Sequence, residues 1–125
     1  MSLPIMLYVA LASIMTVIGN LMMRGGVLRA GGFSLSASTF LRDLGRLARQ
    51  PLFDVGVVLY ALASLVWFHV VSIANLNTTY PILVSMTFIL VTVGATLVFR
   101  EPLSFQKGAG IAVILVGIIL VTTAR

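Results

Sequence analysis

Residues 111–116 read IAVILV, six apolar side chains in a row with no polar residue between them. Strands of a membrane β-barrel alternate apolar and polar residues, so this segment does not fit a barrel strand. It fits a helix surrounded by lipid. The segment lies inside a longer apolar stretch, residues 105–123, and a helix of about 20 apolar residues is long enough to cross a membrane.

The rest of the chain has the same character. Of its 125 residues, 60% are hydrophobic and 9% are charged, whereas a soluble domain carries about 25% charged residues. This composition excludes a soluble globular domain and a disordered chain, and the absence of cysteine excludes a disulfide scaffold. We therefore predict an all-α membrane protein, a single transmembrane domain over residues 1–125 with four spans. The predicted spans cover about 3–23, 52–73, 80–99 and 105–123.

The connections between these spans differ in length. Only residues 74–79 separate the second span from the third, which predicts a tight antiparallel hairpin. The first connection, residues 24–51, is long, and its glycine pairs at 25–26 and 31–32 predict flexible turns. Residues 38–50 predict a short amphipathic helix at the membrane interface; a charged linker is the alternative. Its predicted apolar side holds Phe40, Leu41, Leu44, Leu47 and Ala48, and its polar side holds Arg42, Asp43, Arg46, Arg49 and Gln50.

The distribution of charge predicts the topology. The first and third connections, together with the first turn of the fourth span, carry seven of the eight Lys and Arg residues. Because connections rich in Lys and Arg stay on the cytoplasmic side, we expect both connections to be cytoplasmic and both termini to lie outside. The seven cations are Arg24, Arg29, Arg42, Arg46, Arg49, Arg100 and Lys107.

Several polar residues fall inside the predicted spans, where they are costly unless they face protein or a cavity. In the first span, Ser13, Thr16, Asn20 and Arg24 form a stripe along one helix face. The stripe either faces a ligand or bonds to neighbouring helices, and Arg24 has the further alternative of reaching the lipid headgroups. The remaining candidates for substrate binding are Tyr60, Ser64 and Trp67 on one face of the second span, and Tyr80 at the mouth of the third.

The fourth span carries Gly110 and Gly117, two turns apart. Small residues on one face let helices approach closely, which indicates a dimerisation face; ordinary packing within the chain is the alternative. The sequence has no cluster of metal ligands, no nucleophile–base pair and no nucleotide-binding loop. We therefore predict no enzyme activity, no cofactor, no metal and no nucleic-acid partner.

Several segments together resemble a known family. The segments TVIGNL at 16–21 and YPIL at 80–83 resemble one group of lipid-flippase subunits, and the segment REPLS at 100–104 resembles a loop of their superfamily. The fourth-span glycines with residues 110–118 resemble the small multidrug resistance fold. That fold is a branch of the drug/metabolite transporter superfamily. The chain is most similar there to the aminoarabinose–undecaprenyl-phosphate flippase subunits, with a cation at Arg24 and an aromatic at Trp67. The resemblance implies a small multidrug resistance-like four-helix bundle in the bacterial inner membrane.

One departure from the wider family bears on the substrate. Proton-coupled multidrug members carry a glutamate in the first span, and the matching position here is Thr16, which neither titrates nor attracts cations. The resemblance thus implies a flippase subunit for a polyprenyl-phosphate-linked sugar rather than a drug antiporter. Arg24 would hold the phosphate, and the candidates named above would contact the sugar. Arg42, Arg46 and Arg49 would gather anionic membrane lipid at the surface.

The resemblance also implies a dimer of opposed subunits. Because the charge bias favours a single orientation, the partner would be an oppositely oriented homologous subunit, and a parallel homodimer is the alternative. Two other functions stay open at this point. One is a transporter of small molecules or drugs with the same fold, and the other is a non-transporting membrane partner of a glycosyltransferase.

Overall fold

The computed structural model describes residues 3–124 and forms five helices in that range, with no strand. All of them except α2 are long and apolar enough to cross a membrane. The predicted fold class, four apolar helices with one short helix between the first two, is confirmed, and the chain is a multi-pass membrane protein. The helices are α1 (Leu3–Arg29), α2 (Phe40–Ala48), α3 (Pro51–Ile73), α4 (Leu76–Val98) and α5 (Phe105–Thr123).

Helix α1 is longer than predicted, because it continues beyond residue 23 to Arg29. The prediction of a turn at residues 25–26 was wrong. Gly26 is buried where α1 meets α3, and a Cβ atom built on it would lie 2.5 Å from the Cβ of Phe53. Glycine serves close helix packing here. Of the two glycine pairs, only the pair at residues 31–32, with φ angles of 89° and 99°, forms a turn.

The backbones of α1 and α3 also approach closely at Gly19 and Gly56. A Cβ built on Gly56 would lie 2.8 Å from the carbonyl oxygen of Gly19, and one built on Gly19 would lie 2.9 Å from the carbonyl oxygen of Gly56. A backbone atom cannot move aside as a flexible side chain does. An added methyl group at either position therefore forces the two helices apart.

We expect Gly56→Ala to lower the free energy of unfolding by about 1–3 kcal/mol, the usual cost of overpacking. Denaturant unfolding of the purified protein in lipid measures this change. Gly45→Ala is the matched control, because a Cβ at Gly45 meets nothing within 4 Å. Equal destabilisation by the two substitutions would contradict close packing of α1 on α3.

Helices α3 and α4 diverge from each other, although only residues 74–75 connect them. Helix α4 begins at Leu76, four residues before the predicted start, and the carbonyl of Asn75 accepts the N–H of Thr79 at 3.0 Å. Helix α1 packs against both α3 and α4, whereas α3 and α4 make few contacts with each other. The connection is short, as predicted, although the two helices that it joins pack mainly against α1 and not against each other.

The bundle has two ends, which we call the hairpin end (the α3–α4 connection) and the loop end (the α1–α3 and α4–α5 connections). The buried core lies toward the hairpin end and consists of Val9, Val70 and Ile82, from α1, α3 and α4. Ile118 and Val121 of α5 pack against this core, but α5 itself contains no buried residue. Helix α5 is therefore a peripheral helix with most of its surface uncovered by the rest of the chain.

Helix α2 lies within residues 38–50, where the sequence predicted an amphipathic helix. Leu47 is buried, while Leu41 is 79% exposed. The prediction placed Asp43 on the water-facing side, and this was wrong: Asp43 is buried, and its Oδ2 accepts the N–H of Ser34 at 3.2 Å. This hydrogen bond holds the preceding loop against α2. The location of α2 at a membrane surface stays a prediction.

Candidate substrate site

A cavity of about 480 Å³ opens where α3 and α4 diverge, with α1 at its back. It brings together most of the substrate candidates from the sequence. The predicted residues that line it are Thr16, Tyr60, Ser64, Trp67 and Tyr80. The aromatic rings of Trp67 and Tyr80 lie 6.0 Å apart across the cavity, one from each diverging helix. Binding by these residues stays a prediction.

The sequence reasoning missed one wall of this cavity. Helix α4 contributes residues at positions 80, 83, 84, 87, 88 and 91, which recur at the three- and four-residue spacing of one helix face. Only Tyr80 had been predicted there. The spacing is readable in the sequence, but apolar residues cover most of the surface of α4, and periodicity alone did not mark this face. The residues missed are Leu83, Val84, Thr87, Phe88 and Val91.

The cavity is aromatic and uncharged. Its side-chain polar groups are hydroxyls and the indole N–H of Trp67. The Oγ of Ser64 donates to the carbonyl of Tyr60 at 3.2 Å, which leaves the lone pairs of Ser64 free to accept. The three acids of the chain, Asp43, Asp54 and Glu101, line no part of it. Apolar walls with a few polar groups suit a neutral, hydroxyl-bearing ligand that stacks on aromatic rings.

Arg24 lies outside this cavity. It stands eight residues beyond Thr16, which is about 12 Å along a helix. Its guanidinium Nη2 lies 2.7 Å from Oε1 of Glu101, and its guanidinium carbon lies 5.1 Å from the centre of the Phe99 ring. The Arg24 side chain is 52% exposed. The predicted phosphate ligand is therefore accessible, but it already has a carboxylate partner, which the sequence did not reveal.

The other two members of the predicted first-span stripe also lie outside the cavity. Ser13 is fully buried, and its Oγ has no hydrogen-bond partner among the described residues. Asn20 is partly buried. The structure therefore divides the stripe into a buried serine, a threonine in the cavity, a partly buried asparagine, and an arginine at the loop end.

A second groove, which we call the loop-end groove, has a volume of about 490 Å³ and shares no residue with the cavity. It lies where the last turns of α1 meet the start of α3 and the end of α4. Its lining is apolar except for Arg29. The apolar side chains include Leu21, Met22, Leu28, Leu52, Val98 and Phe99.

Of the three predicted surface cations of the long connection, the structure brings two together at one site. Arg42 and Arg46 border a polar recess next to the turn at residues 31–32. The Nε of Arg42 lies 3.7 Å from Oδ1 of the buried Asp43, so part of its charge is balanced. Arg49 caps the end of α2, is exposed, and does not border this recess.

The predicted dimerisation glycines of α5 are not closely approached by another helix of the described chain. A Cβ built on Gly110 or Gly117 would meet no atom within 4 Å. The alternative considered from the sequence, ordinary packing within the chain, would need another helix to approach these glycines closely, and residues 3–124 show no such approach. Dimerisation stays a prediction.

Comparison with known proteins places the chain among relatives. An uncharacterized protein of Sinorhizobium fredii, y4nH, is 31% identical over 116 residues, which cover 93% of this chain and 92% of that protein. This chain belongs to the same family as y4nH. No family model matches the chain, and no solved structure matches it significantly.

The chain is also similar to named flippase subunits, which confirms the resemblance predicted from the sequence. A protein of Enterobacter sp. (strain 638), named probable 4-amino-4-deoxy-L-arabinose-phosphoundecaprenol flippase subunit ArnE, is 36% identical over 66 residues. The match covers 53% of this chain and 61% of the relative. The corresponding ArnF subunit of Shewanella sediminis is 40% identical over 78 residues, covering 59% of this chain and 53% of the relative. The similarity thus extends over little more than half of each chain.

Proposed function

We propose that this protein is a membrane transporter subunit that moves a polyprenyl-phosphate-linked sugar between the leaflets of a bilayer. The observation that carries the proposal is the uncharged aromatic cavity between the diverging α3 and α4. The proposal is also supported by relatives whose names describe them as probable flippase subunits for 4-amino-4-deoxy-L-arabinose-phosphoundecaprenol.

The cavity fits the head of such a lipid. Tyr60, Trp67 and Tyr80 offer ring faces, and Thr16 and Ser64 offer hydroxyls to a sugar. Several lining side chains are also exposed on the outer surface of the bundle, among them Phe68 at 63%. The cavity is therefore open on one side, so a sugar can enter it while the polyprenyl tail stays in the surrounding lipid.

Arg24 is the proposed phosphate ligand. A guanidinium pairs well with phosphate oxygens, because its donors form a planar fork that matches two of them. Its place at the loop end, about 12 Å from Thr16 along α1, separates phosphate capture from the cavity. We propose that the lipid first binds through its phosphate at the loop end and that the sugar then passes to the cavity.

The proposed location is the bacterial inner membrane, with the loop end cytoplasmic. The charge bias supports this orientation, since seven of the eight cations lie in the two loop-end connections or in the helix ends next to them. Both termini then face outward.

We propose that the active unit is a dimer formed through α5, with an oppositely oriented homologous subunit as the partner. The uncovered glycines of α5 support this arrangement, because a partner helix can approach closely there. A second copy of this chain in parallel is the alternative.

We expect Gly117→Leu to dissociate the dimer, because a large side chain at this position holds a partner helix away. The dimer fraction is measured in lipid by cross-linking or single-molecule counting, with the candidate partner co-expressed. Ile119→Leu, a substitution at a 60% exposed position on the opposite face of the same helix, is the control. An unchanged dimer fraction in the glycine variant would contradict association through α5.

A cation–proton antiporter is less well supported. Exchange of a cation against protons needs an acid that titrates in the substrate site. The cavity lining holds no acid. By the resemblance drawn from the sequence, Thr16 also matches the position of the glutamate in proton-coupled multidrug transporters. The alternative of a non-transporting partner requires the long connection to be essential and the cavity to be dispensable.

The lipid bound to the protein in its native membrane tests this function. We would extract the protein gently and identify its bound lipids by mass spectrometry. Enrichment of a polyprenyl-phosphate sugar over bulk phospholipid is the expected result. Lipids in bulk proportion, or a bound cationic metabolite, would contradict the proposal, and a co-purified glycosyltransferase without the glycolipid would favour the tethering alternative.

A further inference from the structure

The loop-end groove combines an apolar floor with cations at its rim. Phe99 lines the groove, and the guanidinium of Arg24 lies over the ring of that same residue. Arg29 lines the groove as well. A ligand with an apolar chain and an anionic head would therefore find partners for both parts within one site.

Glu101 is the anion now held at this rim, at 2.7 Å from Arg24. The Glu101 side chain is 36% exposed and that of Arg24 is 52% exposed, so water screens the pair. Such exposed ion pairs contribute little to stability. Another anion can therefore replace the carboxylate at small cost.

The backbone directs Glu101 toward α1. The preceding residue, Arg100, adopts a φ angle of 54°, which is uncommon for any residue other than glycine. The N–H of Glu101 then reaches back to the carbonyl of Ala95 at 3.4 Å. The backbone that follows α4 therefore holds the Glu101 carboxylate within hydrogen-bonding distance of the Arg24 guanidinium.

We infer that the loop-end groove is a docking site for a phosphate-bearing lipid, in which the phosphate displaces Glu101 from Arg24 and the apolar chain lies in the groove. Arg29 supplies a second positive charge. The phosphodiester of a sugar-linked lipid presents two non-bridging oxygens and one charge, as a carboxylate does, so it can take the place of Glu101 on the planar fork of Arg24. The second cation and the contacts of the apolar chain with the groove favour the exchange. The choice of lipid rests on the proposed function, but the site itself is separate from the cavity.

The test measures binding of undecaprenyl phosphate by native mass spectrometry of the protein in nanodiscs of zwitterionic phospholipid. Undecaprenol, which lacks the phosphate, and inorganic phosphate, which lacks the chain, are the companion probes. We expect Glu101→Gln to bind undecaprenyl phosphate about two- to fivefold more tightly, because it removes the competing carboxylate. We expect Arg24→Gln to bind it about tenfold more weakly, and Arg24→Lys to retain most of the affinity.

The groove is tested by filling it. Val98→Trp from α4 and Leu28→Trp from α1 should each weaken binding about fivefold or more, since a bulky ring takes the place of the chain. Leu97→Trp is the matched control, because Leu97 is adjacent in sequence, 76% exposed, and outside the groove. Circular dichroism and gel filtration establish that each variant is folded.

Three results would overturn the inference. They are equal binding of undecaprenol and its phosphate, unchanged or weaker binding after Glu101→Gln, and equal loss of binding in the groove and control variants. Tight binding of inorganic phosphate alone would assign the rim to a free anion and not to a lipid. Lipid binding with this pattern but without leaflet exchange would contradict the proposed function and leave the docking site intact. Leaflet exchange that is insensitive to these variants would contradict the docking site alone.

Discussion

Replacing Arg24 with alanine is expected to reduce the rate of leaflet exchange of a polyprenyl-phosphate sugar by about ten- to a hundredfold. This factor corresponds to the free energy of a hydrogen bond to a charged group. The physical reason is the loss of the proposed cationic ligand of the phosphate, which stands half exposed at the loop end. The protein should still insert and fold, because Arg24 lies outside the buried core. Transport by the purified variant in liposomes measures the effect.

Two controls separate this role from a structural one. Lys107→Ala removes one positive charge from the same end of the bundle, at the start of α5, and should leave transport near wild type. Arg24→Ala combined with Glu101→Gln also removes the carboxylate left without its partner. If the double variant regained full transport, the arginine would serve only to neutralise Glu101, and the phosphate role would be refuted.

Filling the cavity is expected to have a comparably large effect. Val84 lines the cavity and is 46% exposed, so a tryptophan can be placed there without disturbing the core. We expect Val84→Trp to reduce transport about tenfold or more, because the added rings occupy the space proposed for the sugar. The rate of leaflet exchange, compared with that of wild type at equal protein density, is the measurement.

The same helix offers a closely matched control. Val93 is 47% exposed and lines neither the cavity nor the loop-end groove. Val93→Trp adds the same side chain to the same helix, so any general effect on insertion or stability should appear in both variants. A similar loss of transport in both would exclude the cavity as the cause.

The four spans could be predicted from the sequence, because the length of an apolar run largely determines whether a helix crosses the bilayer. The end of α1 could not. Gly26 is equally typical of a turn and of a close helix contact, and only the position of Phe53 on another helix distinguishes the two.

The candidate site was predictable where residues share a helix face. Tyr60, Ser64 and Trp67 follow helical spacing, and the structure places all three at one cavity. The contact of Arg24 with Glu101 was not predictable, because it joins residues far apart in the chain across two helix ends. For the same reason the burial of Asp43 was missed, since it depends on a loop that folds back onto α2.

The most direct test of the central claim is the movement of the sugar head group across a bilayer that contains only this protein and its co-expressed partner. A polyprenyl-phosphate sugar is placed in one leaflet of a liposome, and a membrane-impermeant reagent follows its arrival in the other. We predict protein-dependent exchange in the absence of a proton gradient, which is lost on Val84→Trp and retained on Val93→Trp. Exchange no faster than in protein-free liposomes, with a folded protein and its partner present, would contradict the account.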